Sequence, residues 1–227
     1  VGRMDLRESF AATFRAADMN KAIFFLLALS GTFSMAQAQD ATAGRNKAAM
    51  CIGCHGIPGY QASFPEVHKV PMISGQSAKY IIAALTEYKK GDRKHPTMRA
   101  AATSLSDQDM ADLGAFYEKN LKASMIKTVA DTPAVAPSAQ VEALLTKGAC
   151  TSCHGANFSK PIDPSYPKLA GQYADYLYVA LKAYQTEGNA QVGRGNAIMG
   201  GMAKPFSHAE LKQIASYVAT LPSDLKT

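Results

Sequence analysis

The pattern Cys51-Ile-Gly-Cys54-His55 occurs a second time as Cys150-Thr-Ser-Cys153-His154, and the two copies use every cysteine in the chain. A chemical motif repeated within a repeated background means a repeated domain, and that constrains the fold more than composition does. The background does repeat. Pro71-Met-Ile-Ser-Gly75-Gln76 returns as Pro167-Lys-Leu-Ala-Gly171-Gln172, and Tyr80, Leu85 and Tyr88 return as Tyr176, Leu181 and Tyr184. Arg93 and Met98 return as Arg194 and Met199, and Leu105-Ser106 as Phe206-Ser207. The order is kept while the spacing drifts by a few residues, as a duplication with small insertions and deletions would leave it.

The length of 227 residues suits two small domains, and 47% apolar residues are enough for a core in each. Met19-Asn20-Lys21, the apolar run Ala22 to Phe33 and the small-x-small triplet Ala36-Gln37-Ala38 read as a secretory signal peptide cleaved after Ala38. The preceding residues 1–18 read as an upstream extension, and the apolar run is short for a bilayer span. Thr128 to Ser138 carries two prolines among small residues and reads as a Pro/Ala linker. The expected organisation is therefore leader 1–38, first domain 39–127, linker 128–138 and second domain 139–227. The net charge of +6 is mild and its basic residues are scattered, which argues against a nucleic-acid binder.

Each half reads as helical. Tyr80, Ile81, Ala84, Leu85 and Tyr88 share one helical face, as do Tyr176, Leu177, Ala180, Leu181 and Tyr184. Ser106-x-x-Asp109 and Ser207-x-x-Glu210 are capping signals that open a last helix in each half. A first helix leads into each cysteine motif, at about 40–50 and 139–149. No stretch alternates as a strand, so the expected class is all-α. Three main helices in so short a domain leave a thin core that a large apolar cofactor would complete.

The cysteine motif has a mechanical reading. Two thiols three positions apart reach the two vinyl groups of one haem and form thioethers, and the histidine that follows lies under the iron. Cys51, Cys54 and His55 would hold one haem c, and Cys150, Cys153 and His154 a second. A thioredoxin-like pair wants a strand-rich context, and an all-cysteine zinc site wants closer pairs. A carrier needs a sixth ligand, and methionine suits one because its soft thioether favours ferrous iron. Met98 and Met199 occupy equivalent repeat positions, which selects them. Met72 and Met202 are rivals without a counterpart, since position 168 is lysine and position 101 alanine.

The loops at Pro71 and Pro167 are expected to supply a backbone carbonyl to the second ring nitrogen of each histidine. Arg93 and Arg194 read either as partners of haem propionates or as solvated side chains. His68, His95 and His208 lack repeat partners and read as surface residues. Lys89, Lys90, Arg93, Lys94 and Arg99 cluster near Met98, as a docking patch for an acidic partner would or as a solvated helix end would.

The doubled order Cys-x-x-Cys-His, Pro-x-x-x-Gly-Gln, Tyr, Arg-x-x-x-x-Met, Leu-Ser resembles the diheme cytochromes c4 over the whole of residues 39–227. The resemblance implies tandem class I cytochrome c domains about a pseudo-twofold axis, with His55 and Met98 on one iron and His154 and Met199 on the other. It further implies a periplasmic carrier in the respiratory chain, peripheral at the membrane. Its donor would be a small copper protein or cytochrome, and its acceptor a terminal cytochrome oxidase. Met72 and Phe206 depart slightly from the usual leucine-like residues. The competing readings are an electron-entry subunit of a larger dehydrogenase and a diheme peroxidase. The peroxidase needs a labile sixth site, against which two matched methionines argue.

Overall fold

The computed structural model describes residues 38–120 and 135–227, so residues 1–37 of the expected leader and most of the expected linker lie outside the described residues. In the first half α1 (Ala41–Lys47) starts at Asp40, whose carboxylate accepts from the Thr42 and Ala43 amides. The chain breaks at Ala48, fully buried, and resumes as α2 (Ala49–His55), which carries the first motif. The expected first helix is thus two short ones. A hairpin of β1 (Gln61–Ala62) and β2 (His68–Lys69) follows, then α3 (Ala78–Lys90). Gly91 ends α3 in the left-handed region at φ 89°, where a side chain would be strained. After β3 (Arg93–Lys94) come α4 (Pro96–Thr103) and α5 (Asp107–Lys119).

The second half runs α6 (Ala139–Lys147), α7 (Cys150–His154), α8 (Ala174–Gln185), β4 (Gly193–Arg194), α9 (Ala197–Ala203) and α10 (His208–Thr220). Both expected capping boxes form: Ser106 and Asp109 satisfy each other's amides at the start of α5, as Ser207 and Glu210 do on α10. The last helices bury Met110, Leu113 and Tyr117 in one half and Leu211, Ile214, Tyr217 and Val218 in the other. Each such side chain removed from water contributes about 1.5–3 kcal/mol.

The halves pack their thin cores differently. In the first, α1 closes on α5 through Gly44, the one buried residue of α1; a Cβ there would lie 2.0 Å from the Asp112 carbonyl oxygen. In the second, Leu144 and Leu145 of α6 join Phe158, Leu177, Phe206, Leu211 and Leu221 in a larger cluster.

Short strands appear where none was expected, because two-residue segments are too brief to show alternation. β3 and β4 pair antiparallel across the halves with Arg93 opposite Arg194. These two are repeat equivalents, and a residue facing its own equivalent marks a twofold axis. The fold is two tandem helical domains about that pseudo-twofold.

Candidate haem-binding sites

Each site begins with a helix that ends in the motif. All four cysteines are free, partly buried thiols, and burial pushes the Cys51 and Cys150 thiols up. The next residue is fixed from outside its helix. His55 Nδ1 lies 2.8 Å from the Pro71 carbonyl oxygen, and His154 Nδ1 lies 3.1 Å from that of Pro167. A carbonyl only accepts, so Nδ1 carries the proton in both. Burial lowers both imidazole pKa values, which keeps the rings neutral. A neutral ring protonated at Nδ1 offers its Nε2 lone pair, the state an iron ligand requires.

Met98 and Met199 occupy matched places as well. Each is half-buried, three residues after a helix N-cap, and donates its amide to the cap's side chain. The caps are His95 (Nδ1 at 3.4 Å) and Asn196 (Oδ1 at 3.0 Å). His95 is thus no idle surface residue. Its ring caps α4, reaches toward the Phe64 carbonyl at 3.3 Å, and has Asn196 as its functional counterpart. Of the rivals, Met202 is 44% exposed, and Met72 lies half-buried in the loop after Pro71.

Two further readings are corrected. His68 is 5% exposed, held by the Glu66 carbonyl at 2.8 Å and stacked on Tyr176 of the other half. Arg93 is not solvated either. It is 6% exposed, ion-paired with Glu87, donates to the Tyr80 hydroxyl at 3.1 Å and lies over the Tyr80 and Tyr88 rings. Arg194 repeats this with the Tyr176 hydroxyl at 3.1 Å and the Tyr176 and Tyr184 rings. Burial pushes the Tyr80 hydroxyl up to about 12, so it stays protonated at neutral pH. His68, Tyr88, Arg93, Tyr176 and Arg194 line a cavity of about 40 Å³ between the halves. His208 is exposed, as expected.

The donor set suits a covalently held haem: free thiols in pairs, an imidazole with its Nε2 lone pair free, and a thioether in each half. The Tyr117 hydroxyl is buried beside the Cys51 thiol, and burial raises both groups' pKa values. Among the described residues no three His, Cys, Asp or Glu side chains converge as a metal-binding group.

The cytochrome c family model matches residues 41–119 and again 138–222. Cytochrome c4 of Pseudomonas aeruginosa is 33% identical over 211 residues, spanning 89% of this chain and all of the relative. The chain belongs to the cytochrome c4 family. The crystal structure of reduced recombinant cytochrome c4 from Pseudomonas stutzeri superposes with a TM-score of 0.57 at 27% identity, covering 82% of this chain and 100% of that one. A thiosulfate dehydrogenase electron acceptor of Stutzerimonas stutzeri is 30% identical over 190 residues, covering 78% of this chain and 82% of the relative. As a c4-family protein the chain carries two covalent c-type haems, one at Cys51 and Cys54 and one at Cys150 and Cys153, and it is an electron carrier, not an enzyme.

Proposed function

We propose that this c4-family protein carries single electrons in the periplasm towards a terminal cytochrome oxidase, with His55 and Met98 holding the first iron and His154 and Met199 the second. The observation that carries this reading is the duplicate construction of both half-sites. Each has a histidine fixed as the Nδ1–H tautomer by a loop carbonyl and a methionine at the third position of a capped helix. Each haem, when bound, supplies an iron that cycles between ferrous and ferric. The chain's own residues hold the imidazole planes, keep them neutral and place the thioethers. Residues 39–127 and 139–227 would be the two carrier domains, 128–138 the linker, and residues up to Ala38 the export leader. No helix of the described residues is long and apolar enough to cross a membrane.

The donor side has a specific pointer. One relative is named as the electron acceptor of a thiosulfate dehydrogenase, so an oxidase-directed carrier loaded by a sulfur-oxidising dehydrogenase is the second reading. Stopped-flow mixing with such a dehydrogenase tests it: fast reduction supports that donor, and no reduction removes it.

The ligand assignment is tested by redox titration followed optically. Met98→Ala and Met199→Ala should each abolish the methionine–iron charge-transfer band of one haem and lower that haem's potential. Loss of the band in Met72→Ala or Met202→Ala instead would overturn the assignment.

A further inference from the structure

Gln76 and Gln172 are repeat equivalents, 3% and 4% exposed, and each spends its amide on the other half of the molecule. Gln172 Nε2 donates to the Met72 carbonyl at 2.8 Å, and its Oε1 accepts from the Met72 amide at 3.1 Å. Gln76 Nε2 donates to the Lys168 carbonyl at 3.0 Å, and its Oε1 accepts from the Lys168 amide at 2.9 Å. Each Oε1 also accepts from the amide of its own next residue, Tyr173 at 3.0 Å or Ser77 at 3.2 Å. These partners fix which end of each side-chain amide is oxygen, since an amide N–H needs an acceptor and a carbonyl a donor. Each Oε1 thus accepts two amide N–H bonds, which uses both of its lone pairs, while each Nε2 spends one N–H on the clamp.

The clamped amides are not arbitrary ones. The Met72 N–H and the Pro71 C=O belong to one planar peptide group, as do the Lys168 N–H and the Pro167 C=O. Those two carbonyls hold the Nδ1 protons of His55 and His154. Each half therefore contains a continuous chain: glutamine Oε1 of the other half, peptide N–H, the carbonyl of the same peptide, imidazole Nδ1–H. Hydrogen bonds in series polarise one another, more so in a dry interior. An acceptor on the peptide N–H draws electron density towards its carbonyl oxygen and makes it a stronger acceptor. A stronger acceptor at Nδ1–H makes the imidazole a better donor through Nε2.

We infer that Gln172 and Gln76 are positioning residues that act crosswise: each tunes the proximal histidine, and so the reduction potential, of the haem in the opposite half. The inference rests on the proposal that His55 and His154 are the proximal ligands. A better-donating imidazole favours ferric iron, so the intact clamp lowers the potential and its loss raises it. Each carrier domain thereby has its potential set partly by its neighbour's presence and seating.

The test uses the complete diheme protein with Gln172→Met and, separately, Gln76→Met, which keep side-chain volume and delete both clamp bonds. Reduction potentials are measured for each haem, with the haems told apart by the proton resonances of their methionine methyls. Gln172→Met should raise the reduced-to-oxidised ratio of the haem at Cys51 and Cys54 about threefold at fixed ambient potential. That is roughly 28 mV at 59 mV per tenfold for one electron. The other haem should stay in place, and Gln76→Met should show the reverse pattern. Tyr173→Phe, which removes a different contact between the halves (the Tyr173 hydroxyl to the Gly59 amide, 3.2 Å), should move neither potential. Should the Met variants lose haem, Gln172→Asn and Gln76→Asn, too short to keep both bonds, are read the same way. No shift, an equal shift in both haems, or a shift only in the variant's own half overturns the inference. Failure of the ligand proposal shows separately, as His55 and His154 ring protons lacking the haem ring-current shift in the unaltered ferrous protein.

Discussion

Replacing Gly44 by alanine tests the closest approach in the first half. A Cβ at position 44 would lie 2.0 Å from the Asp112 carbonyl oxygen, 2.5 Å from the carbonyl carbon and 2.8 Å from the Phe116 Cβ. Ordinary contact begins near 3.4 Å, so α1 and α5 must part by more than an ångström. The obstructing atoms are backbone and Cβ, which no rotamer change moves. Overpacking costs about 1–3 kcal/mol, and the upper end applies here because the groups cannot swing aside. For a domain of this size a loss of about 3 kcal/mol lowers the midpoint by roughly 12–24 °C. Thermal unfolding of the ferric protein, followed at the methionine–iron band, should show the band of one haem lost early while the other keeps its transition. Gly201→Ala is the control. Nothing lies within 4 Å of a Cβ there, and it sits in α9, so its midpoint should hold or rise slightly. A Gly44→Ala midpoint within about 2 °C of the parent would refute the close helix contact.

The capping box on α5 gives a pH-dependent term. Asp109 accepts from the Lys47 ammonium at 2.9 Å, the Ser106 hydroxyl at 2.7 Å and the Ser106 amide at 2.8 Å, which hold its carboxyl at about 2 against an ordinary 3.8. A depressed value means the stabilisation is full above about 3.8 and lost as pH falls towards about 2. Asp109→Asn should therefore cost about 1 kcal/mol at pH 7 in denaturant unfolding and close to nothing near pH 2; a pH-independent difference would refute the carboxylate's role. The basic patch near Met98 is smaller than its sequence suggests, since Arg93 is buried and Lys94 donates to the Asn189 carbonyl of the other half at 2.6 Å. The exposed remainder is Lys89, Lys90 and Arg99. Lys89→Gln with Lys90→Gln should slow electron transfer with an acidic partner several-fold at low salt and flatten the salt dependence; unchanged rates across ionic strength would make the patch an ordinary wet surface.

What could be read from the residues follows from where the physics is local. Thioether attachment, capping boxes and helical faces are set within a few positions of sequence, so both motifs, Ser106 with Asp109, and Ser207 with Glu210 stood out directly. The helices carrying Met98 and Met199 did not, because a histidine cap is far from the usual Ser, Thr, Asp or Asn and hid the match between His95 and Asn196. His68 reads as a surface residue for a different reason: Tyr176 of the other half covers it, and nothing in one repeat shows what its twin covers. For Arg93 the solvated alternative fails on its own half, where Glu87, Tyr80 and Tyr88 enclose it. Gly44 carried no signal either, since its value lies in the Asp112 carbonyl it approaches.

The contact between the halves combines a symmetric part with an unsymmetric one, and the two have different origins. The β3–β4 pairing and the crossed glutamines use residues present in both repeats, so duplication by itself supplied both sides of each bond. The rest is one-sided. The β1–β2 hairpin region of the first half reaches over α8, where Lys69 meets Asp175 at 3.4 Å and Glu66 meets Lys182 at 2.8 Å. In return, residues after α10 cross to the first half, where Lys226 and Ser74 exchange backbone bonds of 3.0 and 3.1 Å. Those bonds pin the same Pro71–Gln76 loop that holds His55. The partly exposed ion pairs contribute little stability on their own. Their effect is to make the two faces of a twofold contact unequal: the loop over His55 is held by both Gln172 and the Lys226 backbone, while the loop over His154 is held by Gln76 and by the Lys168 ammonium on the Gly75 carbonyl at 2.9 Å. Glu87 adds to this inequality, since Arg93 has a carboxylate partner where the repeat places Ala183 beside Arg194. A duplicated carrier with identical halves would give two equal potentials; these unshared contacts are where the chain can separate them and give the electron a preferred direction.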